Sequence, residues 1–316
     1  MFSSTLSINS TNVRYAINLA WQRMNLSITS ALAPQKAVAA AVRLFGTPPR
    51  IEHTPRELEL LSTGTRYTVA SPRGDLAAWC FGRADRPVVL LTHGWGGRGA
   101  QLRAFVPELL DVGFQVVTFD QAGHGYSDSE GSSLVHFLEG IEAVVADLEA
   151  NGRKVAGMVG HSLGAAAVGL WLNGNRRELR AVLVAPPISV ERYSGYFARQ
   201  FGIPEPVRRA MQEYFERTLG RRWADFELPG SISRARAPAL VIHDAGDREI
   251  PQAFGVALAR AWPQAKFLGT HGLGHRLILR DAQVVRDAVD FITNRVSFAP
   301  PPARDGAAYN APAPIF

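Results

Sequence analysis

Six short runs, at 88–92, 116–119, 155–159, 181–185, 239–243 and 267–270, are largely apolar, and helical patterns separate or follow them. Val88-Val89-Leu90-Leu91 has no polar position at all, as expected of a strand covered on both faces. Between and after the runs, apolar residues recur every three or four positions. They do so at Leu102, Phe105, Val106, Leu109 and Leu110; at Leu134, Leu138, Ile141, Val145 and Leu148; and at Leu163, Ala166, Ala167 and Leu170. Phe254, Ala257, Leu258 and Ala261 form a further such set, and Val284, Val285, Ala288, Val289 and Ile292 the last. Strand–helix alternation of this kind predicts a mostly parallel sheet joined by right-handed crossovers. Two earlier runs, 65–70 and 76–81, flank Ser71-Pro72-Arg73-Gly74 and predict a hairpin leading into the sheet.

The rhythm breaks once, between Ala185 and Pro238. That interval holds Tyr193, Tyr196, Phe197, Phe201, Tyr214, Phe215 and Trp223, with Pro204, Pro206 and Pro229 as punctuation. It is too long for one crossover helix, so 186–237 is expected to form a small helical cap on a core of 60–185 and 238–296. Residues 297–316, with five prolines, are expected to be a loose tail.

Charge is distributed unevenly. Residues 1–50 carry Arg14, Arg23, Lys36, Arg43 and Arg50 and no carboxylate, whereas the remainder holds 29 basic and 28 acidic side chains. A near-neutral body offers no electrostatic footprint for nucleic acid. The basic segment, with the rest of 1–59, reads as a helical arm. Val13, Ile17, Ala20, Trp21 and Met24 form one pattern, Val38, Ala41, Val42 and Phe45 a second, and Ala33-Pro34 divides them. Three readings compete: an arm packed on the body, an organelle-targeting leader, and a helix lying on an anionic membrane. No apolar run is long enough to span a bilayer, and Lys36 spoils the best secretory leader. The expected location is cytoplasmic, peripheral to a membrane if the arm docks there. One cysteine, Cys80, leaves no intrachain disulfide and no cysteine zinc site.

Gly160-His161-Ser162-Leu163-Gly164 directly follows the 155–159 run and opens a helical pattern. Glycines on either side let a serine occupy a tight strand-to-helix turn with its hydroxyl exposed, while the new helix aims free N–H groups at the same spot. A serine hydroxyl needs a base. Asp247 lies in the loop after 239–243 and His275 in the loop after 267–270, and loops at the carboxyl edge of a parallel sheet converge. Ser162, Asp247 and His275 are therefore the candidate nucleophile, orienting acid and base, with Asp244 and His271 as the rivals of the last two. The glycine-rich loop His93-Gly94-Trp95-Gly96-Gly97 can offer the Trp95 N–H, beside that of Leu163, to an oxyanion. Trp95, His161, Tyr193 and Phe197 are the candidate substrate contacts. His161 has the competing role of packing beneath the turn. His243, Asp244 and Asp247 do not form a matched ligand set, so no metal is expected. The glycine spacing is not that of a dinucleotide site, and no cofactor is expected.

Over about residues 60–296 the chain resembles the serine-type α/β-hydrolase family. The resemblance rests on the 93–97 loop, on Asp120-Gln121-Ala122-Gly123-His124-Gly125-Tyr126-Ser127, on the 160–164 motif, and on the order serine, acid, histidine. It implies an α/β-hydrolase fold with helices on both faces of the sheet, a structural 120–127 turn, and a cap that sets substrate choice. Serine at 162 argues against the dehalogenases and epoxide hydrolases of this fold, which use aspartate there. The implied activity is hydrolysis of a carboxylic ester or thioester with an apolar acyl or aromatic group. The same residues would also suit acyl transfer, perhydrolysis, or lactone, amide or carbon–carbon cleavage. A non-catalytic binding module tethered by its basic arm is the alternative of another class. Oligomeric state is not legible.

Overall fold

A computed structural model describes residues 10–175 and 177–295; the expected tail at 297–316 falls outside the described residues. The central sheet has eight strands. They are β1 (Thr65–Val69), β2 (Leu76–Phe81), β3 (Val88–Thr92), β4 (Gln115–Phe119), β5 (Val155–His161), β6 (Arg180–Val184), β7 (Ala239–Asp244) and β8 (Ala265–Thr270). Their spatial order is β1-β2-β4-β3-β5-β6-β7-β8. The first two pairings, β1 with β2 and β2 with β4, are antiparallel; all later ones are parallel. The expected hairpin and parallel sheet are both present.

Twelve helices are described. In chain order they are α1 (Ser10–Leu32), α2 (Pro34–Gly46), α3 (Pro55–Thr63), α4 (Phe105–Asp111), α5 (Leu134–Ala150) and α6 (Leu163–Gly174). Then come α7 (Val190–Phe201), α8 (Glu205–Leu219), α9 (Leu228–Ser231), α10 (Gln252–Ala261), α11 (Gly274–Leu277) and α12 (Ala282–Ile292). Both sheet faces are covered. Val89 and Leu91 of β3 share one apolar cluster with Phe105 and Leu109 of α4 and with Val285 and Val289 of α12. Val88 and Leu90 point the opposite way, by the two-residue period of a strand, and are equally buried. Local signals start the helices. Asp281 caps α12 by accepting the Gln283 and Val284 N–H groups, both at 3.0 Å.

The chain divides into two compact units, one of Met1–Phe45 with Glu191–Trp223, the other of Gly46–Val190 with Ala224–Phe316. The insertion that joins the first unit is thus shorter than 186–237, because its ends return to the second. Leu228 N–H donates to Ile188 O at 3.0 Å, and Ser189 Oγ donates to Glu227 at 2.6 Å. In the first unit Phe45 of α2 centres an aromatic cluster. The Tyr193, Phe197, Phe215 and Trp223 rings lie at 6.1, 5.1, 5.6 and 5.6 Å from it. Of the apolar pattern on α1, Trp21 and Met24 are 58% and 57% exposed, whereas Leu26, outside that pattern, is buried. The side chains of Val13, Ile17 and Ala20 lie outside the described ones. Among the described residues no helix is long and apolar enough to cross a membrane.

Candidate active site

The parallel registers bring the carboxyl ends of the strands to one edge. Thr92 of β3 pairs with Gly160 of β5, His161 with Val184 of β6, Val184 with Ile242 of β7, and Asp244 with Thr270 of β8. Each chemistry-bearing loop leaves the sheet there.

Ser162 sits between β5 and α6 with φ +50° and ψ −122°, a conformation that L-residues rarely adopt. The neighbouring glycines make the turn possible. A Cβ on Gly160 would fall 2.7 Å from the Ala165 Cα, and one on Gly164 would run into the His93 carbonyl. The strain is held by backbone bonds, Ser162 N–H donating to Val184 O at 2.8 Å and Ser162 O accepting Ala166 N–H at 3.1 Å. Leu163 begins α6, so its N–H has no acceptor within the helix.

His275, on α11, donates from Nδ1 to Asp247 Oδ2 at 2.7 Å. The other Asp247 oxygen, Oδ1, accepts the Glu249 and Ile250 N–H groups at 2.8 and 2.9 Å. Burial acts to raise the Asp247 carboxyl, but His243, His275 and the Ile250 N–H outweigh it and hold the group well below the usual carboxylate range. Asp247 is therefore an anion that fixes the Nδ1–H tautomer of His275 and leaves Nε2 as a base. Asp244 has a different task. It accepts Gly246 N–H at 2.8 Å, Thr270 Oγ1–H at 2.8 Å and Leu273 N–H at 3.1 Å, tying the two loops together. His271 is exposed.

His161 links the histidine loop to the serine turn. Its ring lies 4.7 Å from that of His275, and its Nε2–H donates to the His275 carbonyl at 2.9 Å. Burial first, and then the neighbouring His275, push its pKa down to about 3, so it is a neutral donor. Trp95 is half-buried and packs edge-on against His124, ring centroids 5.5 Å apart. Tyr193 and Phe197 belong to the first unit, in the cluster around Phe45.

The glycine-rich loop is held by buried polar groups. Its Gly94 approaches Ser162 so closely that a Cβ there would lie 2.7 Å from the serine Cβ. Gly96 N–H donates to His124 Nε2 at 3.1 Å and Gly97 N–H to Gly94 O at 3.0 Å. His93 accepts Gln121 N–H on Nε2 at 2.9 Å and donates from Nδ1 to Gly94 O at 2.7 Å. The 120–127 turn is thereby joined to the loop. Arg50 braces the same turn, donating to the Gly125, Ser127 and Ser129 carbonyls at 2.9, 3.1 and 2.9 Å. It is a structural brace and not part of a free basic arm.

Three contacts here escaped the reading of the chain. Arg98 pairs with Glu57 of α3 at 2.6 Å, and both side chains are almost wholly buried. Burial acts to raise Glu57, but Thr54 and Arg98 outweigh it and hold the carboxyl below its ordinary value. His243 Nε2 lies 3.3 Å from Asp247 Oδ2 while donating to Ile250 O at 2.9 Å, a second histidine on the acid. The four-residue spacing across the strand end was its one signal. Glu249 Oε2 stands 4.0 Å from His275 Nε2. Among the described residues no group of three or more His, Cys, Asp and Glu is disposed to hold a metal ion.

Comparison with known proteins agrees with the fold. The model of the alpha/beta hydrolase family matches residues 88–288. The bifunctional esterase/perhydrolase DCH of Acinetobacter calcoaceticus is 23% identical over 265 residues, which is 67% of this chain and 94% of that protein. The Pyrococcus furiosus esterase Pf2001 superposes with a TM-score of 0.60 at 19% identity, over 78% of this chain and 99% of that one. The carboxylesterase CesB of Bacillus subtilis does so at 0.56 and 17%, over 76% of this chain and 96% of that one.

Proposed function

The chain belongs to the alpha/beta hydrolase family, and from that premise we propose that it is a serine hydrolase cleaving carboxylic esters through an acyl-Ser162 intermediate. His275 Nε2 takes the Ser162 proton as the oxygen attacks the ester carbonyl, then delivers it to the departing alcohol. Asp247 orients His275 and stabilises its imidazolium. The Trp95 and Leu163 N–H groups receive the oxyanion. Water, activated by the same nitrogen, releases the acid and restores Ser162. His243 helps to keep Asp247 ionised and in place. No cofactor enters this scheme.

The observation that carries the reading is the His275–Asp247 bond of 2.7 Å at the sheet edge where Ser162 holds its positive φ. The proposal extends to esters whose acyl or aromatic group is apolar. A thioester would react in the same way.

A fluorophosphonate should label intact protein at Ser162, and Ser162→Ala should lose label and lower p-nitrophenyl ester hydrolysis by about 10⁵-fold. Unlabelled protein, or full activity in the variant, rules the scheme out. A series of p-nitrophenyl esters of rising chain length, set beside acyl-CoA thioesters, then ranks acyl groups. Similarity to the Acinetobacter esterase/perhydrolase favours one second reading. Hydrogen peroxide would replace water on the acyl-serine, giving a peroxycarboxylic acid and free Ser162. Peracid formation from an ester and peroxide measures that partition.

A further inference from the structure

We propose that the exposed face of α1, on a unit with a large positive charge, docks this protein on an anionic phospholipid surface. Trp21, Met24, Ile28 and Leu32 are 58%, 57%, 52% and 81% exposed. At about 100° per residue they fall within an arc of about 80° on the helix. Leu26, well outside that arc, is buried. The exposed stripe is thus one continuous apolar edge and not a scatter of single residues.

Charge selects the occupant. Met1–Phe45 with Glu191–Trp223 carries eleven Lys and Arg against four Glu and no Asp, a net of +7; the rest of the chain has 23 against 24, a net of −1. No carboxylate precedes Glu52. On α2, Lys36 and Arg43 are exposed and lie seven residues, two turns, apart, so they share a helix face. A second copy of this unit would meet it with like charge. An anionic bilayer offers both the opposite charge and an apolar layer for the stripe, with Trp21 suited to the boundary between them.

Flotation of the full chain tests this. One set of vesicles is pure phosphatidylcholine; the other contains about one-quarter phosphatidylglycerol. Binding to the anionic vesicles alone, weakening with salt, is expected. Combined Trp21→Ser, Met24→Ser, Ile28→Ser and Leu32→Ser should reduce it more than about tenfold. Lys36→Glu with Arg43→Glu, a change confined to exposed positions, should reduce it at least about fivefold per charge removed. Circular dichroism melting verifies that each variant is folded. Three results would overturn the proposal: no flotation on the anionic vesicles, equal flotation of all folded variants, or a wild-type dimer by light scattering that the serine variant turns into a monomer.

Discussion

Helices α12 and α1 carry the same kind of apolar spacing and meet opposite surroundings. In α12, Val284, Val285, Ala288, Val289, Phe291 and Ile292 are all buried, in a cluster with Val182 and Val184 of β6 and Leu240 and Ile242 of β7. In α1, Trp21, Met24, Ile28 and Leu32 face solvent. Periodicity specifies that a helix has an apolar face; it does not say what covers that face. Helix α3 sharpens the contrast. Its acid Glu57 is 1% exposed while its neighbour Leu58 is 46% exposed, an inversion made possible because Arg98 waits inside.

If burial separates these helices, their substitutions should separate too. The largest loss is expected for Phe291→Ala, about 3 to 5 kcal/mol, read from denaturant midpoints. A loss under about 1 kcal/mol would remove α12 from the core. Glu57→Gln comes next, at about 3 kcal/mol, because it strands Arg98 as a buried, uncompensated charge. The same variant should loosen the 93–97 loop and so lower kcat for any ester turned over.

Acid should distinguish the two units. All eight histidines belong to the second unit, and none to the first. His124 is pushed from 6.5 down to about 4, chiefly by burial, and burial holds His93 well below its ordinary value. The folded protein resists these protons and the unfolded chain accepts them. Stability is therefore expected to fall as pH drops below about 6.5 and to keep falling toward 4, by about 3 kcal/mol for His124 alone. Urea midpoints taken across that range measure it, and a flat profile would mean that the buried histidines are already charged. The smallest effect belongs to α1. Ile28→Ser should change stability by less than about 0.5 kcal/mol, since it uncovers nothing. A loss near that of Phe291→Ala would show that the α1 face is covered after all.

Much of the sheet was legible because buried parallel strands are apolar at every position. All eight runs became strands, two of them with unchanged ends and the rest with ends shifted by one or two residues. The hairpin and the helices from α4 through α6, α10 and α12 also stood where their spacing predicted. Asp247 and His275 were identified from position alone, each just past a strand end, and the structure joins them directly. His243 and Glu249 were not identifiable as their neighbours. A contact across a loop depends on how the backbone turns after β7, and no periodicity encodes that turn. Helix α3 was missed because a carboxylate, Glu57, shares its buried side with Leu61 and breaks the apolar spacing.

Order along the chain, apolar runs and the glycine-flanked serine were enough to specify the sheet and to nominate the three side chains at its edge. These are local properties, set by strand burial and by the backbone needs of one tight turn. Tertiary structure alone decided that Glu57 goes inside, that His161 and His243 brace the acid–histidine pair, and that the apolar side of α1 stays in solvent. Each depends on which distant group fills the neighbouring space, and a buried charge or an uncovered helix face cannot be told from its opposite until that neighbour is present.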